Sequence, residues 1–169
     1  MGELNSLSRS TAEILLALFQ QQSADLNAQV WTFLEELEED EYRESRLLIA
    51  FVMGENFLTG MRPILKRHPE IVPEELKGMK FGLDVYECDD GKSMMDRLQF
   101  ISRPTADVLL KLFLKQCAEL SAKLQEFRAS LEHDEFQSVQ LLIERLRNSI
   151  HREGLMPLFD RYREIRLVG

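Results

Sequence analysis

Residues that bind metals or build disulfide frameworks are scarce in this chain. Its 169 residues include three histidines and two cysteines, Cys88 and Cys117. Two cysteines do not make the kind of framework that holds small secreted domains together. The histidines are scattered, and none has a second histidine or a cysteine at metal-ligand spacing. We therefore expect no metal site, no cofactor and a reducing environment.

The motifs of common enzyme classes are also lacking. The segment Gly91–Ser93 matches the end of a phosphate-binding loop, but Tyr86 stands where that loop needs its first glycine. No G-x-S-x-G or H-E-x-x-H occurs. Cys88 lies among acidic residues, which disfavour a reactive thiolate. These absences favour a protein without catalytic activity, although they leave the question of an enzyme open.

Positive charge is in short supply, with 21 Lys and Arg against 29 Asp and Glu. Nucleic acids and anionic membranes are bound through basic residues, so neither is an expected partner. The densest apolar run, Leu47–Met53, is far shorter than the roughly 20 residues that cross a bilayer. The first ten residues lack the basic and apolar regions of a signal peptide. We expect a soluble, cytoplasmic protein.

What the chain does contain is a second copy of its own pattern. A shift of 94 positions aligns Leu4–Ile71 with Leu98–Ile165 without a gap, and 26 of the 68 pairs are identical. Such self-similarity indicates an internal duplication. We divide the chain into a first helical repeat, 1–76, a connector, 77–97, and a second helical repeat, 98–169.

Each repeat predicts a helical hairpin followed by a short third helix. One face of a long helix recurs at steps of three and four residues. In the first repeat it comprises Leu15, Leu18, Phe19, Gln22, Leu26, Val30, Phe33 and Leu37. Seven acids within Glu35–Glu44 then favour a break, with Asp40 and Asp134 as N-caps of the two second helices. The fold class is all-α: two tandem homologous hairpins packed with pseudo-twofold symmetry as a helical bundle.

The ends of the hairpins carry further predictions. Gly60 and Gly154 are expected to end the second helices, and Pro63 and Pro157 to begin the third. Ser8 and Ser102 are the expected N-caps of the first helices. If the third helix returns to the start of the first, Arg9 pairs with Glu70, and Arg103 pairs with Glu164.

The two repeats differ most where only the first is apolar. Trp31, Leu34, Phe51, Met53 and Phe57 align with Gln125, Arg128, Arg145, Arg147 and His151. Residues 1–76 also hold 14 acidic and 6 basic residues. Their net charge of −8 is therefore the same as that of the whole chain. The five apolar residues are our candidate partner-binding residues. Packing against the second repeat, a homodimer interface, and a groove for another protein or a ligand remain alternatives.

These patterns predict a non-catalytic protein–protein interaction module, such as an adaptor, chaperone or inhibitor. It would present its acidic and apolar first repeat to a basic partner. The alternative is a helical carrier or sensor that binds an apolar small molecule between the hairpins. An enzyme that uses Glu38, Asp40, Glu41 and their counterparts is the least favoured hypothesis, because helix capping already explains a repeated acidic cluster.

Overall fold

The computed structural model describes residues 6–73 and 98–162, and every regular element in these two ranges is helical. We call the two ranges the first half and the second half. The first half contains α1 (Arg9–Glu36), α2 (Glu39–Glu55), a π-helical turn (Asn56–Met61), α3 (Arg62–Arg67) and a 3₁₀ turn (Pro69–Ile71). The second contains α4 (Arg103–Ser130), α5 (His133–Ile150), a π-helical turn (His151–Leu155) and α6 (Met156–Arg161). The all-α class is confirmed, while the connector 77–97 and Glu164 lie outside the described residues.

The predicted break between the first two helices is confirmed. Both α1 and α4 are 28 residues long. Helix α1 stops at Glu36 because Leu37 is extended, with φ −101° and ψ 152°, and α2 begins at Glu39. Acidic residues oppose the negative C-terminal end of α1 but favour the positive N-terminal end of α2. Since the link is only two residues long, α2 folds back along α1 and packs against it.

The predicted N-caps of the second helices are wrong. The cap positions of α2 and α5 are occupied by Glu38 and Glu132, and neither side chain hydrogen-bonds the helix end. Asp40 and Asp134 lie one residue inside the helices, in the first turn. They therefore do not cap the helices. Each interacts with the positive end of the helix dipole, and such an interaction stabilises a helix by about 0.3–1 kcal/mol at an exposed site.

The predicted role of the glycines is also wrong, whereas that of the prolines is confirmed. Helix α2 continues through its π-helical turn into α3 without leaving right-handed helical geometry, and α5 continues into α6 in the same way. Gly60 and Gly154 lie inside these turns and do not end a helix. Pro63 and Pro157 occupy the first turns of α3 and α6. Each proline removes one N–H from this continuous helical path, next to the π-helical turn, where the regular i to i−4 pattern is already interrupted.

The glycines are needed for close packing instead. A Cβ on Gly60 would lie 3.1 Å from Phe19 Cδ2 and 3.2 Å from Leu146 Cδ2. A Cβ on Gly154 would lie 2.9 Å from Phe113 Cδ2 and 3.0 Å from Val52 Cγ2. Each glycine thus meets a phenylalanine of its own half and an aliphatic side chain of the other half. The two halves share one continuous hydrophobic core, in which both phenylalanines are fully buried.

The third helix does return to the start of the first, but through different residues from those expected. His68 Nε2 lies 2.8 Å from the Leu7 carbonyl oxygen, and the Tyr162 hydroxyl donates to the Ile101 carbonyl at 2.5 Å. Arg9 pairs with Glu13 at 3.7 Å, so the predicted pair with Glu70 is wrong. The sequence did not predict the contact of His68, because the residue at the equivalent position of the second half is Tyr162 and not a histidine.

Replacing Gly154 with alanine is expected to destabilise the protein by about 1–3 kcal/mol, since the new methyl group overpacks the core between Phe113 and Val52. Better helix propensity offsets about 1 kcal/mol at most. Gly60→Ala has contacts a few tenths of an ångström longer and should lose less. Urea denaturation of both variants measures the difference. Equal or improved stability of Gly154→Ala would contradict the close-packing role.

Candidate functional site

The five candidate partner-binding residues fall into two groups. Trp31 and Leu34 are exposed on α1, with 62% and 49% of their surface accessible. Phe51, Met53 and Phe57 are half-buried and pack against the hydrophobic core. Large exposed apolar side chains in close succession are a feature of binding surfaces. Trp31 and Leu34 are therefore the accessible part of the predicted site.

Residues that are apolar only in the second half are mostly internal. Val139 and Ile150 are buried in the shared core, whereas Leu114 is exposed. Their first-half counterparts at the two buried positions, Ser45 and Asn56, are buried as well. Within the described residues, Ser45 Oγ and Asn56 Oδ1 have no hydrogen-bond partner. The divergence between the repeats is thus partly a difference in core composition.

The repeated acids at the helix junctions hold the two halves together. Glu41 Oε2 accepts hydrogen bonds from the Ser102 backbone N–H at 2.7 Å and from its hydroxyl at 2.6 Å. Glu135 Oε2 accepts one from the Ser8 backbone N–H at 2.7 Å. Ser8 and Ser102 occupy the N-cap positions of α1 and α4, as predicted. Only the Ser8 side chain accepts a hydrogen bond from its helix, from the Thr11 N–H at 3.3 Å, whereas the Ser102 hydroxyl donates to Glu41. Each first helix is therefore capped by a glutamate from the other half.

These contacts change the acidity of both carboxyl groups. Partial burial acts to raise the pKa of Glu41, but hydrogen bonds from Ser102 and Thr105 outweigh it, so the pKa falls below its ordinary value of 4.5. The pKa of Glu135 is lowered in the same way, because hydrogen bonds from Ser8 and Thr11 outweigh its burial. Both groups are therefore held as carboxylates at neutral pH, where they are poor proton donors.

A third glutamate binds the segment that precedes α4. Glu44 Oε1 accepts hydrogen bonds from the Phe100 N–H at 2.8 Å and the Ile101 N–H at 3.2 Å. Its Oε2 accepts from the Gln99 N–H at 2.8 Å. The counterpart of Glu44 in the second half is Ser138, so sequence comparison gave no sign of this contact. It fixes the backbone at Phe100, whose side chain is 52% exposed.

An open cavity of about 450 Å³ lies between this segment and the junction of α1 and α2. It is lined by Glu38, Glu39, Asp40, Glu41 and Phe100. Glu39 pairs with Arg43 at 2.7 Å, and Glu41 is bound to Ser102. The acids were predicted from the sequence, but the position of Phe100 beside them was not, because the equivalent residue of the first half is Ser6. The cavity combines concentrated negative charge with one exposed aromatic ring.

A pair of buried glutamines joins α1 to α4. Gln22 Nε2 donates to the Gln116 carbonyl at 3.1 Å, and Gln116 Nε2 donates to the Gln22 carbonyl at 2.9 Å. The two residues stand 94 positions apart, and both are buried. Their presence in an otherwise apolar stripe was the available sign that they meet a polar group. Gln22 Nε2 also donates to Glu119 Oε1 at 3.1 Å.

Little in the described part of the chain suggests chemistry. No group of three or more His, Cys, Asp or Glu residues in 6–73 and 98–162 is placed to hold a metal ion. Burial raises the pKa of the Cys117 thiol, with Arg147 opposing the effect, so a thiolate is disfavoured. No helix among these residues is both long enough and apolar enough to cross a bilayer.

Comparison with protein-family models, curated proteins and solved structures finds no match to this chain.

Glu41→Gln should destabilise the protein by about 1–2 kcal/mol, because the amide loses the charge-assisted bonds to Ser102. Glu38→Gln is the matched control, since Glu38 is exposed and caps nothing, and its change should stay within about 0.5 kcal/mol. The same contacts predict acid sensitivity. A lowered carboxyl pKa stabilises the fold above its ordinary value of 4.5, and this stability is lost as the pH falls through the lower folded value.

Denaturation midpoints at several pH values test both statements. Wild type should lose stability below about pH 4.5, and Glu41→Gln should lose less over the same interval because it lacks one of the linked groups. An identical pH dependence for wild type and Glu41→Gln would contradict the account of this cap.

Gln22→Leu and Gln116→Leu are each expected to cost about 0.5–1.5 kcal/mol, because each removes one buried amide hydrogen bond. The acceptor carbonyl keeps its donor within the helix, and the substitution also removes a buried Oε1 that has no partner among the described residues. The double variant should lose less than the sum of the two by at least about 0.5 kcal/mol, since the amides form one reciprocal unit. A double-mutant cycle by urea denaturation measures the coupling. Strict additivity would show that the two hydrogen bonds act independently.

Proposed function

We propose that this protein is a non-catalytic protein–protein interaction module that presents its first half to a basic partner. The observation that carries the proposal is the exposure of Trp31 beside Leu34 on α1. Tryptophan at 62% exposure is costly to leave in water and is a frequent anchor of interfaces. The equivalent residues of the second half are Gln125 and Arg128. Polar residues of this kind are typical of a solvent-exposed helix face.

The charge distribution supports a basic partner. The net charge of −8 resides in residues 1–76, where acidic residues outnumber basic ones by 14 to 6. Opposite charges speed encounter and favour the correct partner, while apolar contacts supply most of the affinity. An adaptor, chaperone or inhibitor that works in the cytoplasm fits this combination.

The engagement of the repeated acids also supports a role in binding and not in catalysis. The repeated acids Glu41 and Glu135 accept backbone hydrogen bonds that tie the two halves together. An enzyme that used these two carboxylates as acids or bases would need them to exchange protons with a substrate. For the alternative of an apolar ligand between the hairpins, the contacts at Gly60 and Gly154 offer no support, since side chains already fill the space around both.

The same proposal includes the architecture expected from the repeat, two homologous hairpins related by a pseudo-twofold axis. It is supported by contacts that recur at an offset of 94. Glu41 to Ser102 corresponds to Glu135 to Ser8, and Gln22 and Gln116 exchange equivalent bonds. Gly60 against Leu146 corresponds to Gly154 against Val52. A duplicated scaffold leaves one copy to change its surface while both maintain the core.

The double variant Trp31→Gln with Leu34→Arg copies the residues of the second half and should abolish partner binding without unfolding the protein. Affinity capture from an extract of the native cells, followed by in vitro binding with the purified partner, measures the loss. We expect at least a tenfold weaker affinity, as is usual when a central aromatic anchor is removed.

The matched control is Gln125→Ala with Arg128→Ala, which alters the equivalent positions of the second half and should bind normally. Circular dichroism verifies that both proteins are folded. Equal binding by wild type and the Trp31 and Leu34 variant would refute the proposed interface. Light scattering separates self-association, which depends on concentration and would point to the homodimer alternative.

A further inference from the structure

The exposed apolar residues of α1 lie in the last two turns of the helix, just before the acids that line the cavity. Trp31, Leu34 and Glu35 share one face of the helix, because positions i, i+3 and i+4 lie together. All three are exposed. From Trp31 to the end of α1 at Glu36 is about 8 Å along the helix axis. Glu38, which lines the cavity, follows two residues later. We call Trp31, Leu34 and Glu35 the α1 strip.

The cavity is suited to a cationic side chain. Four of its five lining residues are acidic, and the fifth, Phe100, offers an aromatic ring. Cations are attracted both to carboxylates and to the face of an aromatic ring. Glu39 has its own partner in Arg43, and Glu41 is bound to Ser102. Glu38 and Asp40 are exposed and, within the described residues, pair with no basic side chain.

The second half provides a comparison in which two of these features, the aromatic ring and the apolar strip, are missing. Glu132, Asp134 and Glu135 repeat three of the four acids, with His133 in place of Glu39. Ser6 replaces Phe100, and Gln125 and Arg128 replace the apolar residues of the strip. Negative charge is thus common to both junctions. The combination of an apolar strip, an aromatic ring and acids occurs at the first junction. Charge complementarity then favours a partner that is both apolar and basic.

We propose that the α1 strip and the acidic cavity form one docking surface for a basic amphipathic helix of a partner protein. Apolar residues of that helix cover Trp31 and Leu34, and a lysine or arginine beyond them enters the cavity between Phe100 and the carboxylates of Glu38 and Asp40. The inference rests on the proposed interaction function and adds the chemical class of the partner segment. Helices of this kind are recognised through apolar anchors at i, i+3, i+4 and i+7.

A synthetic amphipathic peptide of leucine and lysine with helical periodicity is the probe. Trp31 is the only tryptophan of the chain, so its fluorescence reports directly on the strip. We expect a saturable blue shift on titration, because the indole moves from water into an apolar contact. A leucine and glutamate peptide of the same pattern should produce none. A leucine and lysine peptide of the same composition but without periodicity should bind at least tenfold more weakly.

Two double variants test the cavity. Glu38→Gln with Asp40→Asn should weaken binding of the leucine and lysine peptide about tenfold, whereas Glu132→Gln with Asp134→Asn, the same changes in the second half, should leave it within about twofold. Phe100→Ser, which copies Ser6, should weaken binding by a smaller factor while the fluorescence shift at saturation is kept. Equal losses in the two double variants would show general attraction to a negative protein and overturn the proposed surface.

The outcomes separate this inference from the function on which it rests. If the native partner depends on Trp31 and Leu34 but binds the Glu38 and Asp40 variant normally, the interaction function stands and the basic helix is refuted. If no peptide changes the fluorescence of Trp31 and no native partner depends on it, both proposals fall.

Discussion

Each of the two long helices is closed at its N-terminus by a glutamate from the other half of the chain, and this reciprocal contact determines how the halves meet. The first turn of an α-helix leaves backbone N–H groups without partners inside the helix, and a carboxylate is a strong acceptor for them. Glu41 and Glu135 supply acceptors to the caps at Ser102 and Ser8. Because each carboxylate belongs to the opposite hairpin, the helix ends are completed only when the hairpins pack together.

The interior follows from the same constraint. With the helix ends paired crosswise, α1 and α4 approach closely enough for Gln22 and Gln116 to exchange hydrogen bonds with each other's backbone. The π-helical turns come so near to the core phenylalanines that a Cβ at position 154 would force its neighbours to move, and a Cβ at position 60 would be tight. Apolar burial supplies most of the free energy of such a core. The buried amides specify the register, since a shifted packing would leave their Nε2 groups without acceptors.

At an offset of 94, glycine, phenylalanine and glutamine are identical where the two halves contact each other. The differences fall in the core, where Ser45 and Asn56 correspond to Val139 and Ile150, and at outward positions such as Trp31 and Leu34. Phe100, which lies beside the acids of the first junction, differs from its counterpart as well. The first half contributes the acids and the exposed apolar residues of α1, and the second half contributes Phe100 beside the acids. Glu41 and Glu44 already hold the scaffold together, whereas Glu38 and Asp40 are exposed.

The sequence by itself determined the helical class, the long first helices and a break near Glu38–Asp40, because helical periodicity, missing glycines and the acidic run are local signals. It also identified Trp31 and Leu34 as unusual, through comparison of the repeats. Only the tertiary structure decided that Glu41 and Glu135 cap helices far away in the chain, that Asp40 and Asp134 do not cap, and that Gly60 and Gly154 serve packing. It alone brought Phe100 to the acids through the hydrogen bonds of Glu44. The physical reason is distance along the chain. A capping residue or a glycine in a sequence predicts the structure of its neighbours in the chain. The contacts named above join residues far apart in the chain, which approach only when both halves bury one core.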